Sequence, residues 1–323
     1  MCAPVLQQAY DALMKRPHSP THNDRFGLIL GFSAYILWGI LPPYFIALEP
    51  SSPIEIVGIR VLFSLLFCLA LVWWGKKGGQ LRRVFTESHL RTTFIVAGVL
   101  IFLNWTTYLY ATLTENVLQA ALGYFINPIM TILLGVIFLG EKLKPLQWFT
   151  VALTVAAVVI LTIDHGQLPW ISLILATTFS LYSLFKKRAG VEVDSIVGLT
   201  AETAFVSPLA IIMIVIAQLQ TGLTFGTLGG VHTTLFLLIG VVTAVPLVLF
   251  GSAAQRVPLT TLGLMQYLAP VMQFLYGYLI NGEAMSPARW AGFVLIWIAL
   301  VISSSDLFIG RSRAYKISTR TGT

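Results

Sequence analysis

Residues 122–148 read LGYFINPIMTILLGVIFLGEKLKPLQW, an apolar run with a proline, Pro128, in its middle. Residues 264–290 read LMQYLAPVMQFLYGYLINGEAMSPARW, and at a shift of 142 positions nine of these 27 residues are identical. The identities align Pro128 with Pro270 and Glu141 with Glu283. The same shift extends without gaps across the first half, so we infer that the chain is an internal duplication.

The composition indicates an integral membrane protein. Apolar residues make up 57% of the 323 positions, charged residues 10%, and the mean hydropathy is +0.84. Soluble globular domains have roughly 25% charged residues. The two cysteines, Cys2 and Cys68, provide no disulfide framework, and the polar residues 1–26 show no cleavable signal sequence.

Ten apolar segments have the length of about 20 residues that a membrane-crossing helix needs. The sequence therefore predicts an all-α, polytopic membrane protein of ten transmembrane helices. The segments are 27–48, 54–74, 92–113, 117–139, 145–163, 168–186, 197–217, 233–254, 260–281 and 287–309.

Basic residues predict the orientation of these helices. With both termini placed in the cytoplasm, 18 of the 20 Lys and Arg residues fall on the cytoplasmic side. The net charge of +7 is explained in this way and calls for no nucleic-acid partner.

The duplication and the helix count together predict two inverted repeats, because five helices per half force the second copy to cross the membrane upside down. We expect a cytoplasmic tail at 1–26, a first five-helix repeat at 27–163, a second at 168–309 and a cytoplasmic tail at 310–323. Inverted repeats are typical of secondary transporters, with the substrate site near the bilayer midplane.

Polar side chains share the proline-bearing faces of the repeated helix. A proline inside a helix frees a backbone carbonyl, which needs a partner or a water-filled cavity in the membrane. We expect Pro128 and Pro270 to bend their helices around a central cavity. The alternative is that these polar groups only join neighbouring helices. The residues predicted to bind substrate are Asn104, Trp105, Tyr108, Tyr124, Asn127, Gln266, Tyr267 and Gln273, with Thr131 on the same face as Tyr124.

Two charges lie inside predicted helices, Arg60 and Glu202, at equivalent positions of the two halves. Intramembrane charges are functional-site candidates. From their distances to the helix ends we expect about 12 Å between them along the membrane normal. We predict no direct pair, with Arg60 serving the outer end of the pathway and Glu202 the inner. The alternative is that each of these side chains only forms hydrogen bonds to backbone or polar groups of neighbouring helices.

Several motifs carry a family resemblance: YILWGILPPYF (35–45), EIVGIRVLFS (55–64), LQAALGYFINP (118–128) and QYLAPVMQFL (266–275). They resemble the RarD branch of the EamA-type drug/metabolite transporter superfamily, over about residues 27–309. The resemblance implies an inner-membrane permease for small metabolites or drugs. Two positions depart from the pattern: Gln119 replaces an acidic residue, and Phe63 replaces a tryptophan.

The sequence thus favours a secondary transporter of a small organic solute that works by alternating access. It contains no phosphate-binding loop, catalytic constellation or metal-ligand spacing, so we expect neither an enzyme nor a cofactor or metal. Protons are a candidate coupling ion, and membrane lipids are the other expected partner. A lipid or polyprenol flippase and a non-transporting membrane subunit are the alternatives.

Overall fold

The computed structural model describes residues 24–139, 145–166, 168–189, 192–254, 256–257 and 265–302. This part of the chain is helical and contains no strand, which confirms the predicted all-α class. The predicted N- and C-terminal tails, and Glu141, lie outside the described residues except for 24–26. The helices are α1 Asp24–Gly39, α2 Leu41–Ile46, α3 Pro53–Trp74, α4 Gly78–Thr86, α5 Ser88–Leu113, α6 Val117–Leu139, α7 Pro145–His165, α8 Trp170–Ala189, α9 Ser195–Gln220, α10 Gly230–Ala254, α11 Leu268–Leu275 and α12 Pro287–Ile302.

Four of these helices, α3, α5, α9 and α10, are long and apolar enough to cross a membrane, and shorter apolar helices accompany them. A π-helical turn, Tyr276–Ile280, extends α11. Large apolar side chains face outwards: Trp73 and Trp74 are 82% and 84% exposed, and Leu219 is 80% exposed. Such a surface suits lipid rather than water.

Helices α3 and α9 begin in the same way at positions 142 residues apart. The Ser52 hydroxyl accepts a hydrogen bond from the Glu55 N–H at 3.2 Å, and the Asp194 carboxylate accepts one from the Ile196 N–H at 3.0 Å. An N-cap of this kind satisfies a backbone donor that the first turn leaves free. The duplication therefore extends to the local signal that starts each helix.

Helices α3 and α9 pack against each other and run antiparallel. At the start of α3, Glu55 accepts hydrogen bonds from the backbone N–H groups of Thr224 and Phe225, beyond the end of α9, at 2.8 and 2.9 Å. Beyond the end of α3, Lys77 pairs with Asp194 at the start of α9, at 2.8 Å. Each helix therefore begins where the other ends.

A second pair of equivalent helices, α6 and α11, shows the same relation. Glu283, which follows the π-helical turn after α11, accepts hydrogen bonds from the N–H groups of Val117 and Leu118 at the start of α6, at 2.8 and 3.0 Å. The carboxylate satisfies two donors of the first helical turn. The end of one helix thus lies beside the beginning of its counterpart.

The packing between the halves is also paired. Helix α8 of the second half packs against α5 and α6 of the first. Its counterpart in the first half, α1, packs against α10 and α11 of the second, which are the counterparts of α5 and α6. Helix α5 crosses α9 at Gly98, and α10 crosses α3 at Gly240, again 142 residues apart. A Cβ atom at Gly98 would lie 2.8 Å from the Glu202 carbonyl oxygen, and one at Gly240 would lie 2.4 Å from that of Phe63. Only glycine fits such contacts without movement of the backbone.

Candidate functional site

A cavity lies between the two halves, where α1, α3, α5 and α6 of the first meet α8, α10 and α11 of the second. Its free space is about 50 Å³. A water needs on the order of 10–15 Å³ by this kind of measure, so the cavity has room for a few waters and not for an organic solute. It is lined by Tyr35, Trp38, Leu41, Arg60, Ile101, Asn104, Trp105, Tyr108, Tyr124, Phe179, Leu247, Gln266, Ala269, Pro270 and Gln273.

Polar atoms without partners are concentrated at this cavity. Among the described residues, seven buried side-chain polar atoms have no hydrogen-bond partner within the protein, and five of them belong to cavity-lining residues. Buried polar groups in folded proteins are normally hydrogen-bonded, so such a cluster indicates a place where water or a ligand binds. The five atoms are Tyr35 Oη, Arg60 Nη1, Tyr108 Oη, Gln266 Nε2 and Gln273 Oε1.

Arg60 is the charged residue of the cavity. It is 2% exposed, and its Nε donates a hydrogen bond to the Thr243 hydroxyl at 2.8 Å. Its guanidinium carbon lies 5.0 Å from the centre of the Phe45 ring and 4.6 Å from that of Trp105. The aromatic faces attract the positive charge but accept no conventional hydrogen bond.

A hydrogen-bonded wall from α5, α6 and α8 fixes another side of the cavity. The Asn104 amide donates to the Leu175 carbonyl at 3.1 Å and to the Thr178 hydroxyl at 3.0 Å. Its oxygen accepts from the Tyr124 hydroxyl at 3.0 Å. Asn104 is therefore largely engaged with the protein, and its main effect is to orient Tyr124.

The structure brings together six of the eight residues predicted to bind substrate. Asn104, Trp105, Tyr108, Tyr124, Gln266 and Gln273 all line the cavity. Asn127 and Tyr267 do not. The side-chain oxygen of Asn127 instead accepts a hydrogen bond from the Ser180 hydroxyl on α8, so at this position the structure favours the alternative of helix joining. The side chain of Thr131 lies outside the described residues.

The two prolines differ in their local roles. Pro128 lies inside α6, where it removes a backbone hydrogen bond, as predicted. Pro270 lines the cavity but lies in the first turn of α11, which begins at Leu268. The first turn has no backbone hydrogen bond for a proline to break. Met265, directly before the turn at 266–267, is also helical, so the helical segment that carries Pro270 is interrupted shortly before this proline.

Arg60 and Glu202 have different partners and no contact with each other is recorded. Glu202 is fully buried and accepts hydrogen bonds from the Lys186 ammonium at 2.6 Å and the Tyr182 hydroxyl at 3.1 Å. The structure places Arg60 at the central cavity. The sequence places Lys186 at the last position of the predicted helix 168–186 and gives no partner for it, although Tyr182 and Lys186 lie one helical turn apart and share a face.

Ion pairs also connect α4 with the residues before α9. Arg83 donates to Glu87 at 2.5 Å and to Glu192 at 3.4 Å, and its hydrogen bond lowers the pKa of the Glu87 carboxyl. Ligand atoms of Glu87, His89 and Glu192 lie within 4.8 Å of one another, a grouping that the sequence did not predict because Glu192 is remote in the chain. Arg83 already engages both carboxylates, so the group is an ion-pair network.

A second cavity, of about 210 Å³, lies near Glu283 at the ends of α6 and α11. It is lined by Glu115, Asn116 and Arg289 among others, and shares no lining residue with the central cavity. Burial raises the pKa of the Glu283 carboxyl, which is held by the start of α6. The polar groups of this second cavity form contacts between helix ends. We therefore take the central cavity as the candidate site.

The sequence and the fold of the chain are similar to those of known proteins. The sequence model of the EamA-like transporter family matches residues 25–163 and again residues 168–305. A protein RarD of Streptomyces exfoliatus is 45% identical over 301 residues, which cover 91% of this chain and 93% of that protein. An uncharacterized transporter of Pseudomonas aeruginosa is 38% identical over 295 residues, 88% of this chain and 95% of that protein. A solved crystal structure superposes with a TM-score of 0.59 at 17% identity, over 88% of this chain and 98% of that one, which shows a similar fold.

Proposed function

Since the chain belongs to the EamA-like transporter family, we propose that it is a secondary transporter that moves a small organic metabolite or drug through the central cavity. The observation that carries the proposal is the cluster of five unpartnered polar atoms in a cavity between the two halves. A helix bundle with only a structural role would have no reason to bury these groups unpaired. Gradients drive the transport, without nucleotide hydrolysis.

The proposal includes ten membrane crossings arranged as two inverted five-helix repeats. The match of one family model to both halves supports the repeat, and the antiparallel pairs α3 with α9 and α6 with α11 support its inversion. The distribution of Lys and Arg supports an inner-membrane protein with both termini in the cytoplasm. A pseudo-symmetric molecule of this kind has two equivalent shapes, one open to each side.

The size of the cavity and the contacts at the two ends of α3 support the alternating-access part of the proposal. Because the free space is about 50 Å³, helices must separate before a solute enters. Glu55, at the start of α3, is bonded to Thr224 beyond the end of α9, and Lys77, beyond the end of α3, is paired with Asp194 at the start of α9. In the proposed cycle these contacts open in alternation, so that the solute meets only one side of the membrane at a time.

Protons are the proposed coupling ion, and Glu202, a fully buried carboxylate outside the cavity, is the proposed carrier. Its pairing with Lys186 connects α8 to α9, so protonation would weaken a contact between neighbouring helices of the second half. A carrier without coupling, in which solute flows down its own gradient, is the other form of the same proposal. Imposing a proton gradient on vesicles distinguishes the two forms.

The experiment is uptake and counterflow in proteoliposomes that contain the purified protein. The solute panel comprises amino acids, nucleosides and chloramphenicol, each with and without a proton gradient. Counterflow of at least one solute, absent from protein-free vesicles, is expected. The same vesicles with a fluorescent phospholipid report scrambling. Lipid scrambling without solute movement would favour the flippase alternative, and neither activity would favour a non-transporting subunit.

A further inference from the structure

The positive charge of Arg60 has no acidic partner in the cavity. Among the described residues that line it, none is acidic. The guanidinium group carries five N–H donors, and the one bond recorded to another side chain is from Nε to the neutral Thr243 hydroxyl. The Nη1 nitrogen is buried without a hydrogen-bond partner. A charge in this position calls for an anion, because burial removes the water that would otherwise solvate it.

In the part of the chain that the structure describes, the two fully buried carboxylates are occupied elsewhere. Glu202 is held by Lys186 and Tyr182, and Glu55 accepts from the N–H groups of Thr224 and Phe225. Neither Glu202 nor Glu55 lines the cavity. None of these described carboxylates therefore neutralises Arg60, and a bound solute can supply the counter-ion.

We propose that the solute is an organic monocarboxylate whose carboxylate pairs with Arg60. The inference rests on the proposed transport function and specifies the substrate class for that site. A planar guanidinium matches a carboxylate with two parallel N–H···O bonds. A single cation in a small cavity suits one negative charge, whereas a phosphate dianion would require more donors.

The other residues that line the cavity indicate the chemical character of the rest of the solute. Trp38, Trp105 and Phe179 give it apolar and aromatic walls, which suit a hydrocarbon or ring attached to the carboxylate. The unpartnered Tyr108 hydroxyl and Gln266 amide add hydrogen-bonding groups for a polar substituent. Pockets of mostly apolar walls with a few polar groups are typical of small-molecule sites.

The test compares acids with neutral amides of the same shape. Binding of benzoate, benzamide, butyrate and butyramide to the purified protein is measured by tryptophan fluorescence, with sodium chloride and sodium phosphate as inorganic controls. A charge-assisted hydrogen bond contributes enough to make each acid bind about ten- to a hundredfold more tightly than its amide. Equal binding of acid and amide would overturn the proposal, as would absence of any response to both acids.

Variants of Arg60 separate recognition from folding. Arg60→Gln should remove the preference for acids, because it deletes the charge, and Arg60→Lys should retain part of it. Arg289→Gln, outside the cavity, is the matched control and should keep the full preference. We expect Arg60→Gln to unfold at the same temperature as the parent or higher, because it removes a buried charge without a counter-ion. If Arg60→Gln still binds acids more tightly than amides, the assignment is refuted. It is also refuted if Arg60→Gln does not fold and Arg60→Lys folds but does not bind acids, because Arg60 would then serve folding alone.

The outcomes distinguish this inference from the transport function itself. If neutral solutes show counterflow while benzoate and butyrate neither bind nor compete, the substrate class is wrong and the transporter stands. If the acids bind through Arg60 but no solute moves, the site stands and the transport function fails. If chloride binds as tightly as benzoate, the site holds an inorganic anion only, which overturns the organic monocarboxylate.

Discussion

The crossing of α10 over α3 at Gly240 allows the packing between the halves to be tested by one methyl group. In Gly240→Ala the new Cβ would lie 2.4 Å from the Phe63 carbonyl oxygen, whereas ordinary contact begins at 3.4 Å. The helices would have to separate by about 1 Å. The obstructing atom is backbone, so no side-chain rotation relieves the contact.

The magnitude follows from two opposing effects. Overpacking destabilises by about 1–3 kcal/mol, and alanine is favoured over glycine inside a helix by roughly 0.5–1 kcal/mol. A 1 Å clash against backbone belongs at the upper end of the first range, so the net loss is about 2 kcal/mol, or roughly thirtyfold in the ratio of folded to unfolded protein. At Gly98 the required movement is smaller, from 2.8 to 3.4 Å, and the two effects nearly cancel.

Gly230→Ala, at the start of the same helix α10, is the matched control because a Cβ there meets no atom within 4 Å. Unfolding by sodium dodecyl sulfate in detergent micelles, followed by tryptophan fluorescence, measures the free energy. The expected order of stability is Gly230→Ala at or above the parent, then Gly98→Ala, then Gly240→Ala. Equal stability of the Gly240 and Gly230 variants would refute the close crossing.

The Gly240→Ala substitution should also change the position of side chains in the cavity. Thr243, one turn after Gly240, accepts the hydrogen bond of Arg60 at 2.8 Å. A separation of about 1 Å would break this bond and release the guanidinium from its orientation. We therefore expect Gly240→Ala to weaken solute binding in the protein that remains folded, and Gly230→Ala to leave it unchanged.

Three further substitutions have expected outcomes. Pro128→Ala should lower counterflow while membrane abundance stays near parental, with the exposed Pro208→Ala as control; parental transport would remove the argument for a functional bend. Lys186→Ala should destabilise the folded protein by about 3–5 kcal/mol because it leaves the Glu202 carboxylate buried and unpaired. The double variant Lys186→Ala with Glu202→Gln should recover most of that lost stability in the same unfolding assay. Absence of recovery would contradict the ion pair between Lys186 and Glu202. Tyr108→Phe removes a hydroxyl without a partner, so it should weaken solute affinity about tenfold with unchanged stability, and a loss of stability instead would assign that hydroxyl to the protein's own packing.

The sequence predicted the helical class and much of the cavity because these depend on local pattern and on duplication. Apolar segments of membrane-spanning length repeat at a shift of 142, and the shift pairs Gly98 with Gly240 and Ser52 with Asp194. Polar residues on an otherwise apolar helix stand out in such a chain. That signal found six of the cavity residues, including Asn104 and Tyr124.

What the sequence did not predict depends on three-dimensional contacts. Asn127 has the same chemistry as Asn104, but its side chain points to Ser180 on α8, and no pattern along α6 distinguishes the two directions. Lys186 was counted with its basic neighbours, and its pairing with Glu202 depends on how α8 packs against α9. The position of Arg60 in the cavity depends on the angle between α3 and α10, which periodicity does not encode.

Access to the cavity from both sides tests the central claim most directly. Cys2→Ser and Cys68→Ala give a cysteine-free background, to which Ala269→Cys adds one thiol at the cavity and Ala157→Cys one in the buried core as control. A membrane-impermeant maleimide is applied to one side of proteoliposomes at a time. Alternating access predicts that the thiol at position 269 reacts from either side, that bound solute slows both reactions, and that position 157 reacts from neither. Reaction at position 269 from one side only would contradict alternating access. Passage of the maleimide itself across the membrane, measured by a thiol enclosed in the vesicles, would indicate a continuous pore and would contradict it as well.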